Sequence, residues 1–186
     1  MVSVIIPIKR VENEYWSLLN NAIKSVLRQT YTDYEILLGV YDEDVSDGRN
    51  SAIARSSGEY CLTLDADDEL EPEFLEKTVK LMKDYDIVAT DAYLNGSVWR
   101  AGGGNFEDNN QILNCSLFKR EIWEKHKFDN TLGGYEDWEF WIKAVRNGYR
   151  VGIIREPLVI ISDRPNSRNK GAILRHKELK ERICQK

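Results

Sequence analysis

The stretch Glu59-Tyr60-Cys61-Leu62-Thr63-Leu64-Asp65-Ala66-Asp67-Asp68-Glu69 runs an apolar segment directly into a cluster of carboxylates. Residues 60–64 have the make-up of a short buried strand, which ends where the first acid stands. In open α/β sheets, ligands gather just beyond the carboxyl ends of strands. Asp65 and Asp67 are two residues apart, so extended backbone points both carboxylates to one side. Two hard oxygen ligands held together suit Mg²⁺ or Mn²⁺, ions that keep waters and take substrate phosphates as further ligands. The same residues also read as a polar strand-to-helix loop, with Asp68 or Glu71 capping a helix that opens near Pro72.

Upstream of this stretch, residues 2–8 (Val-Ser-Val-Ile-Ile-Pro-Ile) predict a buried parallel strand, short and β-branched. A helix of about 18 residues follows, with Trp16, Leu19, Ile23 and Val26 at three- and four-residue steps facing the sheet. Glu35 to Val40 predicts a second strand, and Tyr41-Asp42-Glu43-Asp44 places acids at its end. Strand, helix and strand at this spacing imply a right-handed crossover and a parallel pair. A short helix over 48–57 then leads into the strand that ends at Asp65.

Downstream, a helix over 72–83 offers Leu75, Val79 and Met82 to the core, and 87–90 returns as a strand. The alternation predicts an α/β fold with a mostly parallel sheet flanked by helices. Residues 93–114 lack periodicity. Their Gly102-Gly103-Gly104 run, between Trp99 and Phe106, reads either as a flap whose aromatics stack on a sugar or as a plain connector. A short helix is expected over 119–126. Gly133-Gly134-Tyr135-Glu136-Asp137-Trp138 opens a strong helix that stops at Gly148. Acids in a first helical turn are ordinary helix-end chemistry. Asp137, however, shares a side with Trp141, which suits a functional carboxylate on a buried margin. Two strands separated by Pro157 are expected over 151–154 and 158–161, then a polar loop over 163–170 and a helical tail.

With 186 residues the chain has the size of one domain. No apolar run approaches the ~20 residues that span a bilayer, and the start goes straight into a strand without a secretory pattern. Cys61, Cys115 and Cys184 are too scattered for a zinc site or a disulfide framework. These features predict free thiols and a cytoplasmic protein. The net charge of −5 divides unevenly. From residue 164 onward eight bases face two acids, a net +6, while 18 bases face 29 acids elsewhere, a net −11. The basic tail suits an anionic membrane surface, a pyrophosphate or a nucleic acid, or equally docking on the chain's own acidic body.

Five fragments, in order, resemble the family 2 glycosyltransferases, nucleotide-sugar-dependent inverting enzymes of the GT-A fold. They are VSVIIP, AIKSVLRQTYTDYEILL, GRNSAIARSSGEY, LDADDELEP and GGYEDWEFWIKAVRNGYRV, covering about residues 2–152. The resemblance implies a GT-A domain over 1–163, with the basic helical tail of 164–186 as part of it. It implies a nucleoside-diphosphate-sugar donor, a divalent cation (Mn²⁺ or Mg²⁺), and a glycan, lipid-linked or other hydroxyl acceptor. It places Asp65-Ala66-Asp67 on the family's D-x-D, with Asp67 and Asp65 toward the metal. Asp137, beside Glu136, falls on the catalytic base. Pro7, Lys9, Arg10, Asp42, Arg49 and Asn50 fall around the donor nucleotide.

This chain departs from the family pattern in places. Val40-Tyr41-Asp42-Glu43 stands where D-D-G-S is usual, so Asp42 reaches the ribose or base only if the backbone slips by one residue. The segment before Arg49 is short, Arg10 replaces a common asparagine, and Ile161-Ser162-Asp163-Arg164 carries no histidine where some relatives place a metal-binding one. His126 and His176 read as surface residues. Two rival functions stay open at this stage. One is a non-catalytic nucleotide- or glycan-binding relative. The other is a phosphohydrolase of the haloacid dehalogenase type, with Asp65 as nucleophile and Asp67 as acid–base.

Overall fold

A computed structural model describes residues 1–10, 15–102, 104–162 and 168–185. Eight strands form one sheet: β1 (Val2–Lys9), β2 (Tyr34–Tyr41), β3 (Tyr60–Thr63), β4 (Glu69–Leu70), β5 (Ile87–Leu94), β6 (Ser97–Trp99), β7 (Leu117–Lys119) and β8 (Val151–Ile161). Among the described residues seven helices accompany it: α1 (Tyr15–Leu27), α2 (Val45–Arg55), α3 (Phe74–Leu81), α4 (Arg120–His126), α5 (Glu136–Arg146), α6 (Arg168–Leu174) and α7 (His176–Cys184). The strand order is β2-β1-β3-β7-β5-β8-β4, with β6 added to β5. The long pairings β1–β2, β1–β3 and β5–β8 are parallel. The sheet is nonetheless mixed, because short β7 runs antiparallel to both β3 and β5 and so joins two parallel halves.

The period of two along β1 explains the layering. Val4 and Ile6 face one side, where they meet Leu62, Leu64, Leu19 and Val26 of α1, and Phe74 and Leu75 of α3. Ile5 faces the other side, with Cys61, Phe118, Ile53 of α2, Ile122 of α4, and Phe140 and Trp141 of α5. Both faces of the central strands are covered, so their near-continuous apolar composition follows directly.

Several expectations are corrected. Trp16 does not face the sheet: it is 64% exposed, while Leu19 and Val26 of the same helix are buried. Pro157 does not separate two strands. β8 continues through it and shifts register against Asp91, a bulge that tolerates the missing donor. β4, β6 and β7 have no advance signal, since each is only two or three residues long. Neither Asp68 nor Glu71 caps a helix. α3 starts at Phe74 without a side-chain cap, and Asp68 Oδ1 instead accepts from the Ser162 backbone N–H at 3.0 Å. The first acid stretch is thereby tied to the end of β8. His176 is only partly exposed, since it stacks on Trp138 at 5.9 Å and meets Tyr135 Oη through Nδ1 at 3.3 Å. The polar loop expected over 163–170 lies largely outside the described residues, and α6 already begins at Arg168.

Candidate active site

Two close backbone approaches carry side chains to the carboxyl edge of the sheet. A Cβ on Gly39 of β2 would come within 2.1 Å of the Gly48 carbonyl oxygen. Only a glycine pair lets α2 lie this close to β2. The Asp44 side chain caps α2 by accepting from Ser46 N–H at 2.8 Å. One helical position past Gly48, Arg49 then turns into the interior, where its side chain is 2% exposed. The second approach precedes α5. Gly133, Gly134 and Tyr135 have φ of 65°, 152° and 58°, a left-handed path that aims the first turn of the helix at the sheet edge. A Cβ on Gly134 would stand 3.0 Å from that of Ala172 in α6. Tyr135, with no glycine's freedom, holds strained backbone next to the acids of that turn, where such strain tends to collect.

These elements enclose a cavity of about 530 Å³, within the range of small-molecule sites. Pro7, Lys9, Tyr41, Arg49, Asp65, Ala66, Asp67, Glu136 and Asp137 all border it. Residues 65–67 and 137, separated by 70 positions, thus meet at one space. Arg10 and Asp42 do not line it. They pair with each other at 3.1 Å on the surface, both more than 60% exposed. Tyr41 takes the place expected of Asp42. Asn50 is also turned away: its amide donates to the Phe128 carbonyl at 2.8 Å and accepts from Trp123 Nε1 at 2.8 Å and from Phe128 N–H. Asn50 therefore clamps the chain after α4.

Arg49 is the electrostatic centre. Nη2 donates to Asp65 Oδ1 and Nη1 to Glu136 Oε1, each at 2.8 Å. Burial alone would depress its pKa, but Asp65 and Glu136 outweigh burial and hold it above the ordinary guanidinium value. One cation thus ties the end of β3 to the start of α5, and Glu136 is engaged in that bridge. Asp137 is half-buried, and its Oδ2 accepts from Asn110 Nδ2 at 2.8 Å. Burial and then the adjacent Glu136 carboxylate raise its pKa, while Arg49, the Trp138 N–H and Asn110 pull it back, leaving it at about 6. A carboxylate so placed is basic enough to take a proton near neutrality.

The donor set fits a hard divalent ion. Among the described residues no three His, Cys, Asp or Glu side chains group into a full cage. Asp67 and the remaining oxygen of Asp65 can supply part of a coordination shell, leaving the rest to phosphate oxygens and water. That division is the habit of Mg²⁺ and Mn²⁺.

The irregular stretch contributes more than its sequence suggested. Trp99, Asn110 and Asn114 line the cavity, as do Ile112 and Leu113. Phe106 does not: it packs between core clusters, and its carbonyl accepts from Trp138 Nε1 at 2.6 Å. The loop is fastened at its root by buried Asp91, which accepts from Ala101 N–H and from Arg100. Sequence reading missed Tyr41, Tyr135, Asn110 and Asn114. The last two lie in a stretch without periodicity, where no local pattern marks them.

The family model for glycosyl transferase family 2 matches residues 41–134, half of the chain. The chain belongs to that family. An uncharacterized glycosyltransferase of Methanocaldococcus jannaschii is 30% identical over 128 residues, covering 60% of this chain and 44% of its own length. S. aureus TarS residues 1–349, solved in complex with UDP-GlcNAc, superposes with a TM-score of 0.74 at 17% identity, over 92% of this chain and 61% of that one. A mannosyltransferase from Pyrobaculum calidifontis, in complex with GDP-Man and Mn²⁺, gives 0.67 at 17% identity, over 96% and 61%. The fold is the GT-A fold that these solved neighbours share. The chain spans less than half of the archaeal relative and about three-fifths of the two solved neighbours. Family membership also removes the phosphohydrolase alternative. The supposed nucleophile Asp65 is held by Arg49, and the acid pair follows the third strand of this sheet, not the first.

Proposed function

We propose that this chain transfers a sugar from a nucleoside-diphosphate sugar to an acceptor hydroxyl, with inversion, in one displacement. The observation that carries this reading is that Asp137, with its pKa raised to about 6, borders the same cavity as Asp65 and Asp67. Complexes of the solved neighbours with UDP-GlcNAc and with GDP-Man and Mn²⁺ support the donor class and the cation.

Pro7, Lys9 and Tyr41 form the part of the cavity suited to the nucleoside and its ribose. Asp67, with Asp65 beside it, would hold the divalent cation, which when bound offsets charge growing on the departing diphosphate. Arg49 keeps Asp65 in place and adds buried positive charge near the same end. Asp137 accepts the proton of the acceptor hydroxyl as its oxygen attacks the anomeric carbon from the face opposite the diphosphate. Asn110 holds the Asp137 carboxylate in a fixed orientation for that step. The bond to the diphosphate breaks as the new glycosidic bond forms, so no covalent enzyme intermediate is needed. Glu136 supports this chemistry through Arg49 and does not itself take the proton. A relative that only binds ligands has no use for a carboxylate tuned in this way, which favours the catalytic reading.

The test is turnover of nucleotide sugars with Mn²⁺ by wild type, Asp137→Asn and Asp67→Ala. Losses of about 10²-fold or more are expected in both variants. Full turnover in either would defeat the assigned role.

A further inference from the structure

Residues 110–114 cross the cavity from one reacting group to the other. At one end, Asn110 Nδ2 is bonded to Asp137. At the other, the Asn114 carbonyl accepts from Thr63 Oγ1 at 2.8 Å, on the last residue of β3 and two before Asp65. Any sugar held between a diphosphate at Asp65–Asp67 and an acceptor at Asp137 lies alongside this segment. The segment is also fixed in place. Gly102 N–H donates to the Gln111 carbonyl at 2.6 Å, and Gln111 Nε2 donates to the carbonyls of Asn105 and Asn109.

Two polar atoms on this fixed segment have unmet hydrogen-bonding capacity. Asn110 Oδ1 and Asn114 Nδ2 are both buried, and neither finds a hydrogen-bond partner among the described residues. Buried polar atoms are nearly always satisfied, and leaving one bare is costly. Both residues line the cavity. The orientation of Asn110 is set by chemistry, since its amide N–H must face the carboxylate and its carbonyl the remaining direction. The pair therefore offers one acceptor and one donor, with Ile112 and Leu113 between them in sequence and Trp99 bordering the same cavity. Hydroxyl groups both donate and accept, and a pyranose presents them around an apolar ring face.

Resting on the transferase reading above, we infer that Asn114 Nδ2 and Asn110 Oδ1 grip the transferred sugar through its hydroxyls, making 110–114 the segment that selects the donor sugar. Selection by such a pair is strong, because a donor lacking the matching hydroxyls leaves both amide atoms bare.

The experiment is calorimetric titration of the full chain, with Mn²⁺, comparing nucleoside diphosphates with their sugars. The probes are UDP, GDP and dTDP against UDP-glucose, UDP-N-acetylglucosamine, GDP-mannose and dTDP-glucose. The readout is the ratio of sugar-bearing to sugar-free affinity. In Asn114→Ala and Asn110→Ala that ratio should fall about tenfold for the preferred donor, with nucleoside diphosphate binding within about twofold of wild type. Asn114→Asp, equal in size but unable to donate, should lose at least as much as the alanine variant. An unchanged ratio overturns the inference while leaving the transferase reading intact, and so does an equal loss for nucleotide and nucleotide sugar, which marks a structural prop. Wild type that binds none of the probes overturns both.

Discussion

Asp137 shows how much one side chain owes to its surroundings. Its carboxyl titrates at about 6 because burial and Glu136 oppose the charged form. The unfolded chain titrates near the ordinary value of about 3.9. The native state thus holds this proton more tightly, and stability falls as pH rises from about 4 through 6, then levels. Asp137→Asn should flatten this dependence and raise stability at neutral pH by on the order of 1–2 kcal/mol, measured by denaturant melts at several pH values. Turnover should run the other way, dropping below pH 6 as the base takes up its proton, with an apparent pKa of about 6 in the rate profile. Asn50 supplies the opposite lesson. The family likeness sets it beside the donor, yet its amide makes three hydrogen bonds to Trp123 and Phe128. Asn50→Ala should cost about 2–4 kcal/mol in unfolding free energy and leave nucleotide affinity unchanged. Weaker nucleotide binding at full stability would return Asn50 to the donor site.

At the scale of elements, the acids at 65–67 and at 136–137 were legible as two clusters, and each could be placed at the end of a strand or the start of a helix. What joins them was not legible, because Arg49 reaches both through tertiary packing of α2. That buried bridge has a measurable consequence. Arg49→Met leaves Asp65 and Glu136 without their cation and should cost about 3–5 kcal/mol. Adding Glu136→Gln to Arg49→Met should recover about 1 kcal/mol or more, since the stranded charge goes with it. Equal stabilities of the single and double variants in urea melts would show that the bridge does not hold α5 to the sheet. The short strands escaped sequence reading for a related reason. A two-residue pairing such as β4 with β8 has no period of its own and exists because β8 lies beside it.

For the whole molecule, three of the described bases in the tail make contacts within the chain. Lys180 donates to the Asp108 carbonyl at 3.0 Å, Arg182 to that of Thr131 at 3.0 Å, and Arg175 pairs with Glu178. Leu179 and Ile183 of α7 are buried, with Ile183 against Trp138 and Ile142 of α5. We propose that the tail is part of the same folding unit and forms one wall of the site through Ala172 and Ile173. A chain ending at Ser162 should melt at least about 5 °C lower and lose donor turnover, read by thermal denaturation and by the transfer assay. Unchanged melting would make the tail an appendage, free to serve an anionic surface. No helix among the described residues is long and apolar enough to cross a membrane.

The amino-acid order alone determined the strand–helix alternation, the two acid clusters and the family, because periodicity and short motifs are local properties. Only the folded chain decided which of the candidates share a cavity. Asp42 and Asn50 sit within a few residues of true lining positions, yet one points to solvent and the other into a clamp. A side chain's direction depends on the packing of its element, and for Arg49 that packing rests on two glycines at close approach. The pKa of Asp137 belongs to the same class. It is set by burial and by neighbours brought in from elsewhere in the chain, and no reading of residues 133–141 by themselves contains it.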